Sequence, residues 1–186
     1  VKLIKYTWSW MGPFIISFVI ALSLSTFVFQ PYQVEGHSMD PTLSDEQRIY
    51  VSKLSHTLSS LPDYGDIVVI DSRVDQKRTW KDDILDNKLL RLIIGKEDEP
   101  FIYIKRVIGK PGDVLEFKDH KVYRNGKVLE EPYIKEPMDF VSDQKWVVPK
   151  NSIFVMGDNR NYSRDSRDIG FIPLDHVLGK KIELNP

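Results

Sequence analysis

The chain has 186 residues, with 26 Lys and Arg against 27 Asp and Glu, and no cysteine. A net charge of −1 without a basic tract offers a phosphate backbone nothing to track, so nucleic acid is not expected as a partner. The absence of cysteine excludes disulfides, thiolate metal sites and a thiol nucleophile.

In chain order, the first element is a long apolar segment. No Asp, Glu, Lys or Arg occurs from Tyr6 to Val34. A bilayer core takes roughly 20 apolar residues as helix, whereas a secretory h-region is only about 7–15 long. The segment therefore reads as a retained anchor rather than a cleaved signal peptide. The expected division is a short cytoplasmic segment over 1–7, a transmembrane helix over 8–30 and an extracytoplasmic β-rich domain over 31–186. Lys2 and Lys5 precede the span, Glu35 and Asp40 follow it, and no Lys or Arg returns before Arg48. The positive-inside rule then places the N-terminus in the cytoplasm and the rest outside. Trp8, Trp10 and Tyr32 suit the two interfaces. The expectation is a single-pass protein of the cell membrane, with the lipid bilayer as one of its partners.

Beyond the span the pattern changes to short β-branched runs between turn signals. Ile67–Ile70 follows Gly65-Asp66, and Phe101–Ile108 is closed by Gly109-Lys110-Pro111-Gly112-Asp113. Val114–Phe117 comes next, then His120–Leu129 with Asn125-Gly126 at its centre, a strong hairpin signal. Ser152–Met156 and Val177–Ile182 complete a mainly β domain of antiparallel sheet. Two stretches break the pattern. The interval 73–100 reads as an insertion whose apolar spacing suits an amphipathic helix over Asp83–Ile94. The interval 118–150 reads as the hairpin followed by an irregular excursion containing Pro132, Pro137 and Pro149.

Ser38 stands just after the apolar segment, in Glu35-Gly36-His37-Ser38-Met39-Asp40-Pro41-Thr42. Gly36 permits a positive φ and Pro41 fixes the chain beyond. A serine in such a turn can present its hydroxyl and backbone N–H together, as nucleophile and oxyanion donor. It needs a base. Of the four histidines, His37 adjoins Ser38 and in an extended segment its side chain points away from that of Ser38, while His56, His120 and His176 sit beside loops or turns with no acid at suggestive spacing. The other known base is a desolvated lysine. Lys105 interrupts the otherwise apolar Phe101–Ile108, and as a strand residue it shares a face with Phe101, Tyr103 and Val107. It is either such a base, a lysine paired with a carboxylate, or an edge-strand lysine turned to water. The run alone leaves these open. Gly157–Arg167, taken alone, reads as a solvated loop of alternating charge.

Four segments change the weight of these residues. Ser38–Thr42, Gly65–Val69, Lys105–Asp113 and Gly157–Arg167, in that order after one span, resemble the motif boxes of bacterial type I signal peptidases, in particular the Gram-positive type with a serine/lysine dyad. The resemblance runs from the anchor to about Lys181. It implies that Ser38 is the nucleophile and Lys105 the general base. Ser163 matches a hydroxyl that orients the lysine, Asp165 and Arg160 match residues that shape the last box, and Arg106 matches the arginine after the lysine. Asp158 could pair with a basic group that the sequence does not single out. Some family members carry a serine where this chain has Gly36, so the oxyanion hole retains the Ser38 N–H and a second donor that the sequence does not name.

The implied activity is a membrane-anchored serine endopeptidase that removes N-terminal signal peptides from exported preproteins after small residues of the Ala-X-Ala type. It needs no cofactor and no metal, and is expected to act as a monomer. A self-cleaving regulator of related chemistry would need a DNA-binding module in place of the anchor. The alternative from another class is a catalytically silent anchored β-domain that scaffolds exported proteins, which the presence of both Ser38 and Lys105 disfavours.

Overall fold

The run Ile67–Ile70 has no polar residue because neither of its faces meets water. In the computed structural model, which describes residues 2–54, 60–79, 82 and 101–183, with the side chains of 2–10, 24–27 and 29 excepted, this run forms β3 (Ile67–Asp71), buried at every position. Strand β3 lies at the centre of a seven-stranded antiparallel sheet. Its companions are β1 (Phe29–Gln33), β2 (Arg48–Ser52), β4 (Ile102–Gly109), β9 (Ser152–Met156), β10 (Ile172–Pro173) and β11 (Val177–Lys181), in the order β1-β2-β11-β3-β4-β9-β10. One face packs Val69, Ile67, Val51 and Leu178 against Val34, Met39 and Leu43. The other packs Val68, Ile70 and Val107 against Ile153, Val155 and Ile172.

A second sheet of four strands, β5 (Val114–Lys118), β6 (Lys121–Arg124), β7 (Lys127–Val128) and β8 (Ser142–Val147), runs in the order β7-β6-β5-β8. Its inner face, with Leu115, Phe117 and Val122, closes on Ile108, Phe154 and Met156 of the first sheet. Asn125 and Gly126 both have positive φ, at 54° and 78°, so the β6–β7 hairpin turns as the Asn-Gly pair predicts.

The chain opens with helix α1 (Lys2–Phe27), and the four-residue helix α2 (Ser166–Ile169) begins within the last motif segment. The expected span over 8–30 therefore needs correction at its end: α1 stops at Phe27 and Phe29–Gln33 is strand, paired with β2. Among the described residues no helix is long and apolar enough to cross a membrane. The side chains of Trp8 and Trp10, and the expected helix over Asp83–Ile94, lie outside the described residues. The stretch read as irregular contains β8, whose exposed middle residues Asp143, Gln144 and Lys145 hide the strand period.

Candidate active site

Ser38 is placed by the residues around it. Gly36 adopts φ +81° and its N–H donates to Asp45 Oδ1 at 2.8 Å. Met39 and Leu43, each 1% exposed, drive the turn into the core beneath the first sheet. From the far side, the Asn159 N–H donates to Ser38 O at 3.1 Å and Asn159 Nδ2 to His37 O at 3.0 Å. The Ser38 N–H itself donates no hydrogen bond among the described residues.

Lys105 lies on β4, opposite Val68 of β3, and is 3% exposed. This excludes the edge-strand lysine. Its Nζ stands 2.8 Å from Ser38 Oγ and donates to Ile104 O at 2.9 Å. The ring centroid of Tyr103, on the same face, is 5.4 Å from Nζ. Burial pushes the Lys105 ammonium down to about 8, against the pull of the Asp165 and Asp158 carboxylates and with help from the Arg167 charge.

Those carboxylates are answered by arginines. Arg106 holds Asp158 in a fork, Nε to Oδ1 at 2.8 Å and Nη2 to Oδ2 at 2.6 Å, while its Nη1 donates to Gly65 O at 2.8 Å. Arg167 holds Asp165 in the same way, at 2.9 and 2.8 Å. Asp165 also caps α2 and accepts the Gly157 N–H at 2.9 Å. Arg160, whose side chain is 0% exposed, forks onto Glu131 at 2.8 and 2.7 Å and donates from Nε to Gly157 O at 3.0 Å. Planar bidentate pairs of this kind fix direction as well as charge. Gly157 is where these threads meet: a Cβ there would clash with Ser163 Oγ and come within 2.5 Å of Ser38 O.

A buried lysine held against a serine hydroxyl, with no acid on the lysine itself, is an arrangement that can deprotonate the serine. A family model described as signal peptidase, peptidase S26, matches residues 7–184. The chain belongs to that family.

Among its relatives, signal peptidase I of Bacillus licheniformis is 38% identical over 91% of this chain and 83% of that one. Signal peptidase I T of Bacillus subtilis is 36% identical over 91% and 80%. A crystal structure of a signal peptidase I from Enterococcus faecalis aligns at 26% identity over 64% of this chain and 96% of that one, with a TM-score of 0.43. As a signal peptidase of this family, the protein is a hydrolase and a serine endopeptidase, and the family's activity is removal of signal peptides from preproteins. This sets aside the silent scaffold.

The fold gathers Ser38, Lys105, Arg106, Asp158, Arg160, Ser163 and Asp165 around Gly157. One expected contact is absent. Ser163 Oγ is buried without a hydrogen-bond partner among the described residues and does not engage Lys105 in this arrangement; Lys105 donates to Ser38 and the Ile104 carbonyl instead. The described histidines are occupied elsewhere: His37 with Asp40, His120 with the Met138 carbonyl, and His176 with the carbonyls of Asp71 and Gln76. His56 lies outside the described residues. Sequence reasoning assigned no role to Glu131, Tyr133, Gly157, Asn159 or Arg167. Arg167 could have been found, since an Asp-x-Arg spacing opening a helix lets the arginine fold back on the capping carboxylate. Glu131 sends no local signal, because its partner Arg160 is 29 positions away.

Proposed function

We propose that the protein is a membrane-anchored endopeptidase that cleaves preproteins after small residues of the Ala-X-Ala type, with Ser38 as nucleophile and Lys105 as general base. The observation that carries this reading is the 2.8 Å separation of Lys105 Nζ from Ser38 Oγ, with the amine held by burial near the pH at which it can be neutral. Neutral Lys105 takes the Ser38 proton as Oγ attacks the scissile carbonyl. The free Ser38 N–H faces the oxyanion that forms. The lysine ammonium then protonates the leaving amine, leaving an acyl ester on Ser38. Lys105, neutral again, deprotonates a water that hydrolyses the ester.

Ser163 Oγ, buried, without a partner among the described residues and across Gly157 from Ser38, is the hydroxyl available to orient the lysine during this cycle. Arg106, Asp158, Arg160 and Asp165 act by holding the surrounding loops.

The anchor in this reading is α1 alone. Phe14 is 73% exposed, Ile16 61% and Phe18 51%, and large apolar side chains left exposed on a helix call for a core or a bilayer to cover them. Lys2 and Lys5 put its N-terminus in the cytoplasm, and residues 31–186 act outside the cell as a monomer against the lipid surface.

The test is cleavage of a preprotein by the full chain in vesicles. Ser38→Ala and Lys105→Ala should each abolish it, and the double variant should be no worse than either, since the two act as one unit. Cleavage by Ser38→Ala near the wild-type rate would overturn the assignment.

A further inference from the structure

The excursion between β7 and β8 reaches back to the candidate site. Glu131, with a side chain 6% exposed, accepts the Arg160 fork and also the Tyr133 hydroxyl at 2.9 Å. Burial and the Glu131 charge raise the Tyr133 phenol, so it stays protonated and donates. The Tyr133 ring lies 4.1 Å from the guanidinium carbon of Arg106 and 5.8 Å from that of Arg160. The edges of Arg106 are taken by Asp158 and the Gly65 carbonyl, which leaves its face for the ring, a favoured stack for arginine.

An apolar contact of the same volume would stabilise the fold as well as a buried ion pair does. What the pair and stack add is direction. Arg106 follows Lys105 on β4, and Arg160 grips the Gly157 carbonyl behind Ser38.

We propose that Glu131 and Tyr133 are positioning residues for the reaction, locking the guanidinium groups of Arg106 and Arg160 and through them the strand carrying Lys105 and the loop behind Ser38. The proposal rests on the Ser38/Lys105 reading. The charges acting on Lys105 are Asp158, Asp165 and Arg167, with Arg106 neutralising Asp158 and Tyr103 lying over the amine. Loosening Arg106 leaves Asp158 less opposed, which favours the ammonium and moves the rising limb of activity to higher pH.

The experiment measures kcat, KM, the pH profile and Tm for the full chain in vesicles with a model preprotein. Tyr133→Leu should lower kcat by roughly 10- to 100-fold, leave KM little changed and shift the limb upward. Tyr133→Phe keeps the ring face and should retain the wild-type limb. Glu131→Gln should lower kcat. If it fails to fold, the double variant Glu131→Met, Arg160→Met removes the unpaired charge and should fold yet remain slow. Wild-type kcat and limb in folded Tyr133→Leu, whatever its Tm, would overturn the proposal, as would equal losses in the Phe and Leu variants. Ser38→Ala in the same assay separates the two readings: if it is inactive while Tyr133→Leu is normal, only the positioning role falls.

Discussion

A lysine can be a base only if the protein makes its charged form unfavourable, and at Lys105 that work is done by burial between two sheet neighbours and a serine. With the ammonium held at about 8, the rising limb of kcat/KM against pH should lie near that value rather than near the free-lysine value of about 10.4. Lys105→Arg should be inactive although it keeps the charge, because a guanidinium does not deprotonate in this range. An active arginine variant, or a limb near the free value, would make Lys105 an electrostatic group only. The same shift has a stability signature. Below about 8 both folded and unfolded chains carry the proton, and the cost of burying it is fully present. Between about 8 and 10.5 the folded chain has released the proton and the unfolded chain has not, so stability rises with pH across that window. Relative to Lys105→Met, the wild type should gain on the order of 3 kcal/mol over the window, read from denaturant melts at a series of pH values. A flat difference would mean the lysine is not desolvated.

At the scale of elements, the site is a junction of loops on a sheet, and its tightest point is Gly157 at the end of β9. A methyl group there would meet Ser163 and the Ser38 carbonyl, so Gly157→Ala should push the two serine loops apart and lower kcat by roughly 100-fold, with a lower Tm. Asp71, at the end of β3, is a contrasting case. It is 1% exposed, and although burial would raise its carboxyl, hydrogen bonds from Arg73 and Arg78 hold it at about 2. Its contribution is present above the ordinary carboxylate value and is lost as pH falls toward 2. Asp71→Asn should cost about 3–5 kcal/mol while cleavage below the melting temperature is unchanged; a loss of kcat would tie this corner to the site. Strands β3, β4, β5 and β9 and the β6–β7 hairpin were legible because their apolar runs end at turn residues. Strand β1 was not, since Phe29–Gln33 continues an uncharged segment and merges with the span. Strand β8 was hidden by its polar middle. Ser38 and Lys105 stood out as a rigid turn and an interrupted apolar run, whereas Glu131 and Tyr133 become visible only when the excursion is folded back over the arginines.

For the whole molecule, the decisive geometry is how little chain separates the helix from the serine. Helix α1 ends at Phe27, β1 starts at Phe29 as the edge of the seven-stranded sheet, and Ser38 follows on the next turn. If α1 is the anchor, this short connection keeps the reactive group beside the membrane, where an emerging cleavage site can reach it as an extended segment. The charge pattern then sets the side, since Lys2 and Lys5 precede the apolar run and acids follow it. Because the chain has no cysteine, single cysteines report topology without background. A cysteine replacing the exposed Ser44 should react with an impermeant thiol reagent added to intact cells. One replacing Val1 should react only after permeabilisation. The reverse pattern would place Ser38 and Lys105 in the cytoplasm, where no exported preprotein emerges, and would overturn both the orientation and the substrate class. Equal labelling of both positions in intact cells would remove the anchor itself.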